Sequence, residues 1–297
     1  MSYELIHTPV LLKETMEMLN IRENGTYVDA TVGLGGHAVA VLSRLGSAGK
    51  FVGIDRDEDA LRYARERLGN NRVALKKGSF SGLKDILLSL DIHEVDGILF
   101  DLGVSMLQLK GLERGFSFLS DARLDMRMDT EQELTAWHIV NKYPEKDIER
   151  ILREYGEEPY ARRIAKAVVF NRMKKKIDTC RELADLAAKA CGRRGKTHPA
   201  TRTFQALRIE VNKEMDELKK GLASAVNMLT SGGRLCVISY HSLEDRIVKN
   251  FIRDGAREGV LKILTKKPLT PAYEEIRRNP SSRSAKLRGA EKIGVMA

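Results

Sequence analysis

The 297-residue sequence predicts an α/β protein in which a parallel, Rossmann-like sheet is interrupted by an all-helical insertion. Short apolar strands alternate with helical patterns over the first hundred residues, which is typical of a parallel sheet with right-handed crossovers. Strand signals are missing from about 110 to 200, and a further strand follows a Gly-Gly turn at Gly232. We therefore expect a sheet domain formed by 1–109 and 203–297, with 110–202 as the insertion.

The individual elements follow from the period of the apolar residues. Buried strands are predicted at four short apolar runs in the first part of the chain: 28–30, 51–55, 73–76 and 97–101. Helical patterns separate these runs, near 37–45, 57–68 and 80–90. In the insertion, helical periodicity is clearest over 148–155 and 179–191. A long helical stretch after Arg202 precedes the last predicted strand, Gly232–Tyr240.

Bulk composition excludes several classes of protein. With 42% hydrophobic and 31% charged residues, and no apolar run near the roughly 18 residues of a membrane span, the chain resembles a soluble globular protein. We expect a cytoplasmic protein without a membrane partner, because the start lacks a signal-peptide pattern and three scattered cysteines fit reduced thiols. The six histidines form no H-x-x-x-H pattern and the cysteines no C-x-x-C pattern, so we expect no metal site.

The net charge of +10 is concentrated in two segments. Residues 172–202 carry a net charge of +7, and residues 266–297 carry +5. Either run alone could be a solvated helix face. Together, on an otherwise nearly neutral chain, they favour a polyanionic partner such as nucleic acid, since Lys and Arg displace counterions from phosphates.

The most informative motif is a glycine-rich turn between Tyr27 and His37, followed twenty residues later by Asp55. An apolar strand ends at Asp29, the turn Gly33-Leu-Gly-Gly follows, and the next strand ends on Asp55. In a parallel sheet this arrangement holds a nucleoside: the glycines let the backbone approach the ligand, and the carboxylate accepts hydrogen bonds from ribose hydroxyls.

The same turn also satisfies the G-x-G-x-x-G/A dinucleotide pattern, so NAD is an alternative ligand. Two features argue against it. Asp29 precedes the glycines by four residues, where it can bind the amino group of a methionine-like moiety. Phe80 follows the third strand, where its ring could cover an adenine, although core packing is an equally good role for it.

Several long motifs identify the chain as similar to a known family, the bacterial S-adenosylmethionine-dependent small-subunit ribosomal RNA cytosine-N4 methyltransferases. The motifs extend over the whole sequence: His7–Glu14, Asp29–His37, Asp101–Ser105, Glu113–Phe118, Leu124–Asp129, His198–Asn212, Ile238–Arg246 and Arg283–Arg288. The resemblance implies a class I methyltransferase sheet and S-adenosylmethionine as the cofactor. It also implies methylation of the N4 amine of a cytidine in 16S ribosomal RNA.

The resemblance implies a set of cofactor contacts, all present here: Gly35, Gly36, His37, Asp55, Phe80, Asp101 and Gln108. One departure from the family pattern is visible, because Met106-Leu107 stands where the family has Ser-Pro before the glutamine. Asp101 is the candidate catalytic residue. It lies where acceptors should pull on the amine protons, while Tyr240 and His241 would face the same cleft.

Arg193–His198 in the insertion and the basic tail would then contact RNA, with tail residues Arg277, Arg278, Arg283, Lys286 and Arg288. A cytosine inside a stacked helix cannot reach a buried methyl donor, so we expect an unpaired or extruded base. The partner is small-subunit RNA or the assembled 30S subunit. Oligomeric state stays open, a homodimer included. Two other hypotheses remain: an NAD-linked oxidoreductase and a non-catalytic RNA-binding factor.

Overall fold

The computed structural model describes residues 9–69, 72–105, 107–108, 111–192 and 198–294. It divides into two compact units, Met1–Gly103 with Met215–Ala297, and Val104–Glu214. The second unit begins before the predicted boundary at 110 and ends after the predicted one at 202. The later end has a physical cause: Phe204, Leu207 and Val211 are buried in the core of the second unit rather than beside the sheet.

The first unit contains a seven-stranded sheet, which confirms the predicted α/β class. Its strands are β1 Thr26–Asp29, β2 Lys50–Asp55, β3 Val73–Lys77, β4 Val95–Asp101, β5 Leu229–Ser239, β6 Leu261–Ile263 and β7 Lys286–Lys292. Their order is β3-β2-β1-β4-β5-β7-β6. Strands β1 to β5 pair in parallel, whereas β7 runs antiparallel to both of its neighbours.

Along the chain, the first α-helix precedes β1 and the other α-helices lie between successive strands. In chain order they are α1 Leu12–Leu19, α2 Gly36–Leu42, α3 Glu58–Leu68, α4 Leu83–Leu88, α5 Ala136–Lys142, α6 Glu145–Glu154, α7 Ala161–Arg172, α8 Cys180–Cys191, α9 Thr201–Asn212, α10 Glu214–Met228, α11 Ser242–Arg257 and α12 Tyr273–Arg278. Single 3₁₀ turns occur at Phe80–Gly82, Leu112–Arg114 and Pro280–Ser284. None of these helices combines the length and apolar character needed to cross a membrane, as far as the described residues go.

Alternating residues of the central strands bury opposite faces of the sheet. On β4, Ile98 and Phe100 pack into the core beneath α4, α10 and α11, while Leu99 packs with α1, α2 and α3 on the other side. Successive side chains of a strand point to opposite faces, so a strand covered on both sides is apolar throughout. This is why β1, β2 and β4 were recognisable as apolar runs. The prediction of a buried strand is wrong for β3, which lies at the edge of the sheet and has no fully buried residue.

Strands β6 and β7 were not predicted, and Lys286–Arg288 was expected to belong to an RNA-binding tail. The expectation is wrong for Arg288, which is 8% exposed, and its guanidinium donates to Asp245 Oδ1 at 2.6 Å. Lys286 Nζ lies 3.3 Å from the same carboxylate. Although burial raises it, the pKa of Asp245 is lowered overall by hydrogen bonds and charge from these two residues. The basic residues of β7 therefore hold α11 against the sheet.

The elements of the second unit, Val104–Glu214, are helical, and α5 to α9 surround one apolar core. A buried amide joins α9 to the loop that precedes α5. Asn212, 2% exposed, accepts from the Met128 amide through Oδ1 at 2.8 Å. Its Nδ2 donates to the Met126 carbonyl at 2.8 Å and to the Arg208 carbonyl at 2.9 Å.

We expect Asn212→Leu to lower the free energy of unfolding of the second unit by about 2–4 kcal/mol, because it leaves two buried backbone groups without their partner. Chemical denaturation followed by circular dichroism measures the change. Asn171→Ala is the matched control, because that half-buried amide donates only to the Ala167 carbonyl within its own helix. Equal losses for the two variants would contradict the structural role of Asn212.

Candidate active site

Three carboxylates lie at the same edge of the sheet, at the ends of neighbouring strands. Asp29 ends β1, Asp55 ends β2 and Asp101 ends β4, with β1 between the other two. Ligands of open α/β sheets bind beyond this carboxyl edge. The structure therefore brings together three of the acids that the sequence singled out.

The glycine-rich turn is attached to Asp55. The Gly33 amide donates to Asp55 Oδ2 and the Asp57 amide donates to Oδ1, both at 2.9 Å. Gly35 has a φ of +78°, a left-handed conformation that favours glycine. A Cβ on Gly36 would lie 2.7 Å from the Pro9 ring, so packing against Pro9 explains that glycine.

Asp29 is 2% exposed and is held by Thr31, a residue that the sequence analysis missed. The Thr31 amide and hydroxyl donate to Asp29 Oδ1 at 3.1 and 3.4 Å. The same hydroxyl accepts from the Asp101 amide at 2.6 Å, which ties the end of β1 to the end of β4. The spacing Asp-x-Thr at a strand end was the only signal for this role.

One carboxylate oxygen of Asp101 is held by a hydrogen bond, and the other faces the His37 ring. The Tyr240 hydroxyl donates to Oδ1 at 2.8 Å, and His37 Nδ1 lies 3.5 Å from Oδ2. His37 Nε2 lies 3.1 Å from the Val10 carbonyl, which can only accept, so Nε2 carries the proton. Burial lowers the pKa of His37, so the neutral ring presents an unprotonated Nδ1 to Asp101.

Burial dominates the electrostatics of this edge. It raises the pKa of Asp29 and of Asp101 to about 7, and that of Asp55 to about 6. The hydrogen bond from Tyr240 lowers the pKa of Asp101, but by less than burial raises it. Acids in this state favour a ligand with a cationic group, because a bound cation offsets the cost of ionising them.

Phe80 lies in the 3₁₀ turn after β3, half-buried. Its ring meets Phe100 edge-on at a centroid distance of 5.5 Å, and the Arg56 guanidinium lies 5.7 Å from its centroid. Glu217 fixes this turn by accepting from Ser81 at 2.7 Å and from Ser79. Phe80 thus packs on the core, and part of its surface remains exposed beside the edge that carries Asp55.

The remaining candidates have local roles. Gln108 lies in the second unit, where its Oε1 accepts from the Ser105 amide at 3.0 Å. His241 is the N-cap residue of α11, and its Nδ1 accepts a hydrogen bond from the Glu244 amide at 3.4 Å. Arg193–Thr197 lie outside the described residues, and His198 stacks on Phe118 at a centroid distance of 4.5 Å. Arg277, Arg278 and Arg283 are exposed.

The residues present fit S-adenosylmethionine. Asp29 offers a buried acceptor and Asp101 a partly exposed one to a cationic amino acid moiety. Asp55 offers an acceptor for ribose, and the exposed part of Phe80 offers a ring surface for an adenine. Gly33 and Gly35 have positive φ and no side chain, so the backbone of this turn can approach a ligand closely. A neutral dinucleotide end would leave the buried acid Asp29 without a cationic partner.

The raised pKa of Asp29 predicts a pH-dependent effect on stability. A raised pKa means that the folded protein holds this proton more tightly, so the stabilisation is complete below about pH 4 and is lost as pH rises through about 7. We expect Asp29→Asn to become more stable relative to wild type by at most about 4 kcal/mol between pH 4 and 8. Calorimetric unfolding of both proteins measures this difference. The exposed Asp85→Asn is the control, and parallel curves for Asp29→Asn and wild type would contradict the expectation.

Comparison with known proteins agrees with the motifs and the geometry. A model described as the MraW methylase family matches residues 4–293. Ribosomal RNA small subunit methyltransferase H of Caldicellulosiruptor saccharolyticus is 51% identical over 304 residues, covering 97% of this chain and 99% of the relative. Proteins of the same name from a Sulfurihydrogenibium species and from Clostridioides difficile are 52% and 44% identical. They cover 97% and 98% of this chain, and 99% and 100% of their own lengths.

A solved rRNA methylase from Streptococcus thermophilus aligns with 98% of this chain and 99% of its own, at 14% identity and a TM-score of 0.44. The family assignment depends on the relatives of high identity alone. They leave the NAD-linked hypothesis without support and confirm the prediction of an S-adenosylmethionine-dependent methyltransferase. This chain belongs to the MraW methylase family.

Proposed function

We propose that this protein transfers a methyl group from S-adenosylmethionine to the exocyclic N4 amine of one cytidine in small-subunit ribosomal RNA. Small-subunit ribosomal RNA methylation is the activity named for the relatives that match the full length of the chain. The N4 position is supported by one observation above the others. Asp101, at the end of β4, carries a carboxylate that Tyr240 holds in place and whose pKa is raised to about 7.

The cofactor would be held by the residues at the carboxyl edge. Asp29 would accept a hydrogen bond from the amino group of the cofactor, and Asp55 would accept hydrogen bonds from its ribose hydroxyls. The backbone of Gly33–His37 would lie next to the cofactor. Phe80 completes the contacts proposed within the first unit. When bound, S-adenosylmethionine supplies a methyl group made electrophilic by its sulfonium.

The protein must make a poor nucleophile reactive. The lone pair of a cytosine amine is conjugated with the ring, so an acceptor has to pull on an N–H bond and orient the nitrogen. Asp101 Oδ2 would accept that hydrogen bond and then the proton, since Oδ1 is already engaged by Tyr240. Near neutral pH a carboxylate with a pKa of about 7 can take up a proton and release it again.

Methylation at carbon 5 of the pyrimidine would need a different residue. That chemistry uses a covalent nucleophile, in practice a cysteine thiolate. Cys236 is fully buried inside β5, and burial raises the pKa of its thiol. Cys180 and Cys191 are buried in the second unit, with thiol pKa values also raised by burial. The described part of the chain therefore supports amine chemistry better than carbon chemistry.

A non-catalytic RNA-binding factor is the alternative, and mass spectrometry of small-subunit RNA from cells with and without the protein tests both. We expect one N4-methylcytidine to disappear when the protein is absent and to return with the wild-type chain. An unchanged modification pattern would refute the enzymatic proposal. Loss of a methyl group from a ring carbon or a ribose would refute the N4 assignment alone.

Replacement of the proposed acceptor should separate chemistry from binding. We expect Asp101→Ala to lose methyl transfer while S-adenosylmethionine still binds, because Asp29 and Asp55 remain in place. Radiolabelled transfer to small subunits measures activity, and isothermal titration measures the cofactor. Turnover near the wild-type level would remove Asp101 from the mechanism.

Tyr240→Phe should change the pH dependence rather than abolish transfer. The hydrogen bond from Tyr240 lowers the pKa of Asp101, so loss of this bond raises that pKa. The acidic limb of the pH–rate profile, which we expect near pH 7 in wild type, should therefore move to higher pH. Tyr63→Phe, a half-exposed tyrosine on α3, is the matched control. An unshifted limb would show that Asp101 ionisation does not control the rate.

A further inference from the structure

The helix α7 and the turn that follows it have an unusual composition. Residues 161–176 contain seven Lys or Arg residues and neither Asp nor Glu. The inner side of the helix explains its apolar residues, because Ile164, Ala165 and Val168 are buried in the core of the second unit. Burial in the core does not explain the residues on the outer side of the helix.

The outer side presents cations and exposed apolar residues along one line. Five exposed residues form this line, and we call them the α7 face: Arg162, Lys166, Phe170 and Lys174 at four-residue spacing, and Met173, which lies three residues after Phe170. Phe170 is 53% exposed and Met173 is 73% exposed, both unusual for large apolar side chains. Large exposed apolar residues side by side commonly mark a binding surface.

The cations of the α7 face lack acidic partners. Within the described part of the chain, no carboxylate lies within salt-bridge distance of Arg162, Lys166 or Lys174. Neighbouring cations differ, since Lys175 pairs with Glu182 at 2.8 Å and Arg181 pairs with Asp121 at 2.7 Å. Lys174 Nζ instead lies 4.1 Å from the centroid of the Phe170 ring.

A second aromatic ring with lysines is tied to the same turn. Trp137 on α5 has Lys176 Nζ at 5.3 Å and Lys142 Nζ at 5.7 Å from its ring. The Asn141 amide, also on α5, donates to the Ile177 carbonyl at 2.8 Å and accepts from the Ile177 amide at 3.0 Å. These bonds hold α5 beside the turn after α7, so two aromatic rings, each with lysines next to it, belong to this part of the unit.

We propose that the α7 face binds an unpaired stretch of the substrate RNA, with its cations on phosphates and Phe170 stacked on a base. Single-stranded nucleic acids are bound by this combination of basic groups and exposed aromatic rings. A protein partner is a poorer match, because the buried centres of protein interfaces are depleted in lysine. The inference rests on the proposed function, since it takes the RNA of the methylation reaction as the ligand.

Binding of the full-length protein to a single-stranded oligouridine, compared with an RNA duplex of equal length, tests the proposal without methyl transfer. We expect Phe170→Ala to weaken binding to the single strand about tenfold and to leave duplex binding nearly unchanged. Tyr63→Ala is the control, because Tyr63 is also exposed and has the Arg62 guanidinium 5.7 Å from its ring centroid. Fluorescence anisotropy measures both ligands.

The salt dependence of binding tests the cations separately. Lys166→Gln should reduce the slope of log affinity against log salt by about 0.7 for a single strand, because one phosphate contact is lost. Lys50→Gln, an exposed lysine at the first residue of β2, should leave the slope unchanged.

Two results would overturn the proposal. One is equal single-strand affinity for wild type, Phe170→Ala and Lys166→Gln. The other is unchanged affinity for naked RNA combined with weaker methylation of assembled subunits, which would assign the α7 face to a protein contact. Because these titrations need no cofactor, failure of the proposed methyl transfer would appear separately, in the mass spectra.

Discussion

The active edge depends on the burial of three carboxylates at adjacent strand ends. Desolvation raises the pKa of Asp29, Asp55 and Asp101, and it outweighs the charge of Arg56, which lowers the pKa of Asp55. The parallel order β2-β1-β4 brings the acids together, and the core on both faces of the sheet leaves Asp29 buried and the other two partly buried. The same arrangement makes the edge suitable for a cationic cofactor.

Hydrogen bonds between neighbouring strand ends stabilise this edge of the sheet. The Gly33 amide donates to Asp55 and the Asp101 amide donates to the Thr31 hydroxyl, so Asp55 and Asp101 are each connected to the segment that follows β1. Tyr240 adds a connection from the end of β5 to Asp101. A change at one strand end is therefore expected to disturb the acids on its neighbours.

Chemistry and RNA binding are assigned to different parts of the chain. The acids and the glycine-rich turn belong to the first unit, whereas the α7 face belongs to the second. Of the two basic segments found in the sequence, the later one is partly structural, since Arg288 and Lys286 hold Asp245. The earlier one adjoins the cations of the α7 face, for which the described residues provide no carboxylate partner. Net charge by itself could not separate these two uses of Lys and Arg.

The sequence by itself determined the α/β class, the first five strands, and the acids at the ends of β1, β2 and β4, because apolar runs and strand-end residues are local signals. It did not predict β7, whose alternating charged residues are stabilised by pairing with β5 and by Asp245, or the short strand β6, which pairs with β7. The partners of the acids were decided only by the tertiary structure. Tyr240 and Asp101 are 139 residues apart in the chain, and only the order of the sheet brings β4 next to β5.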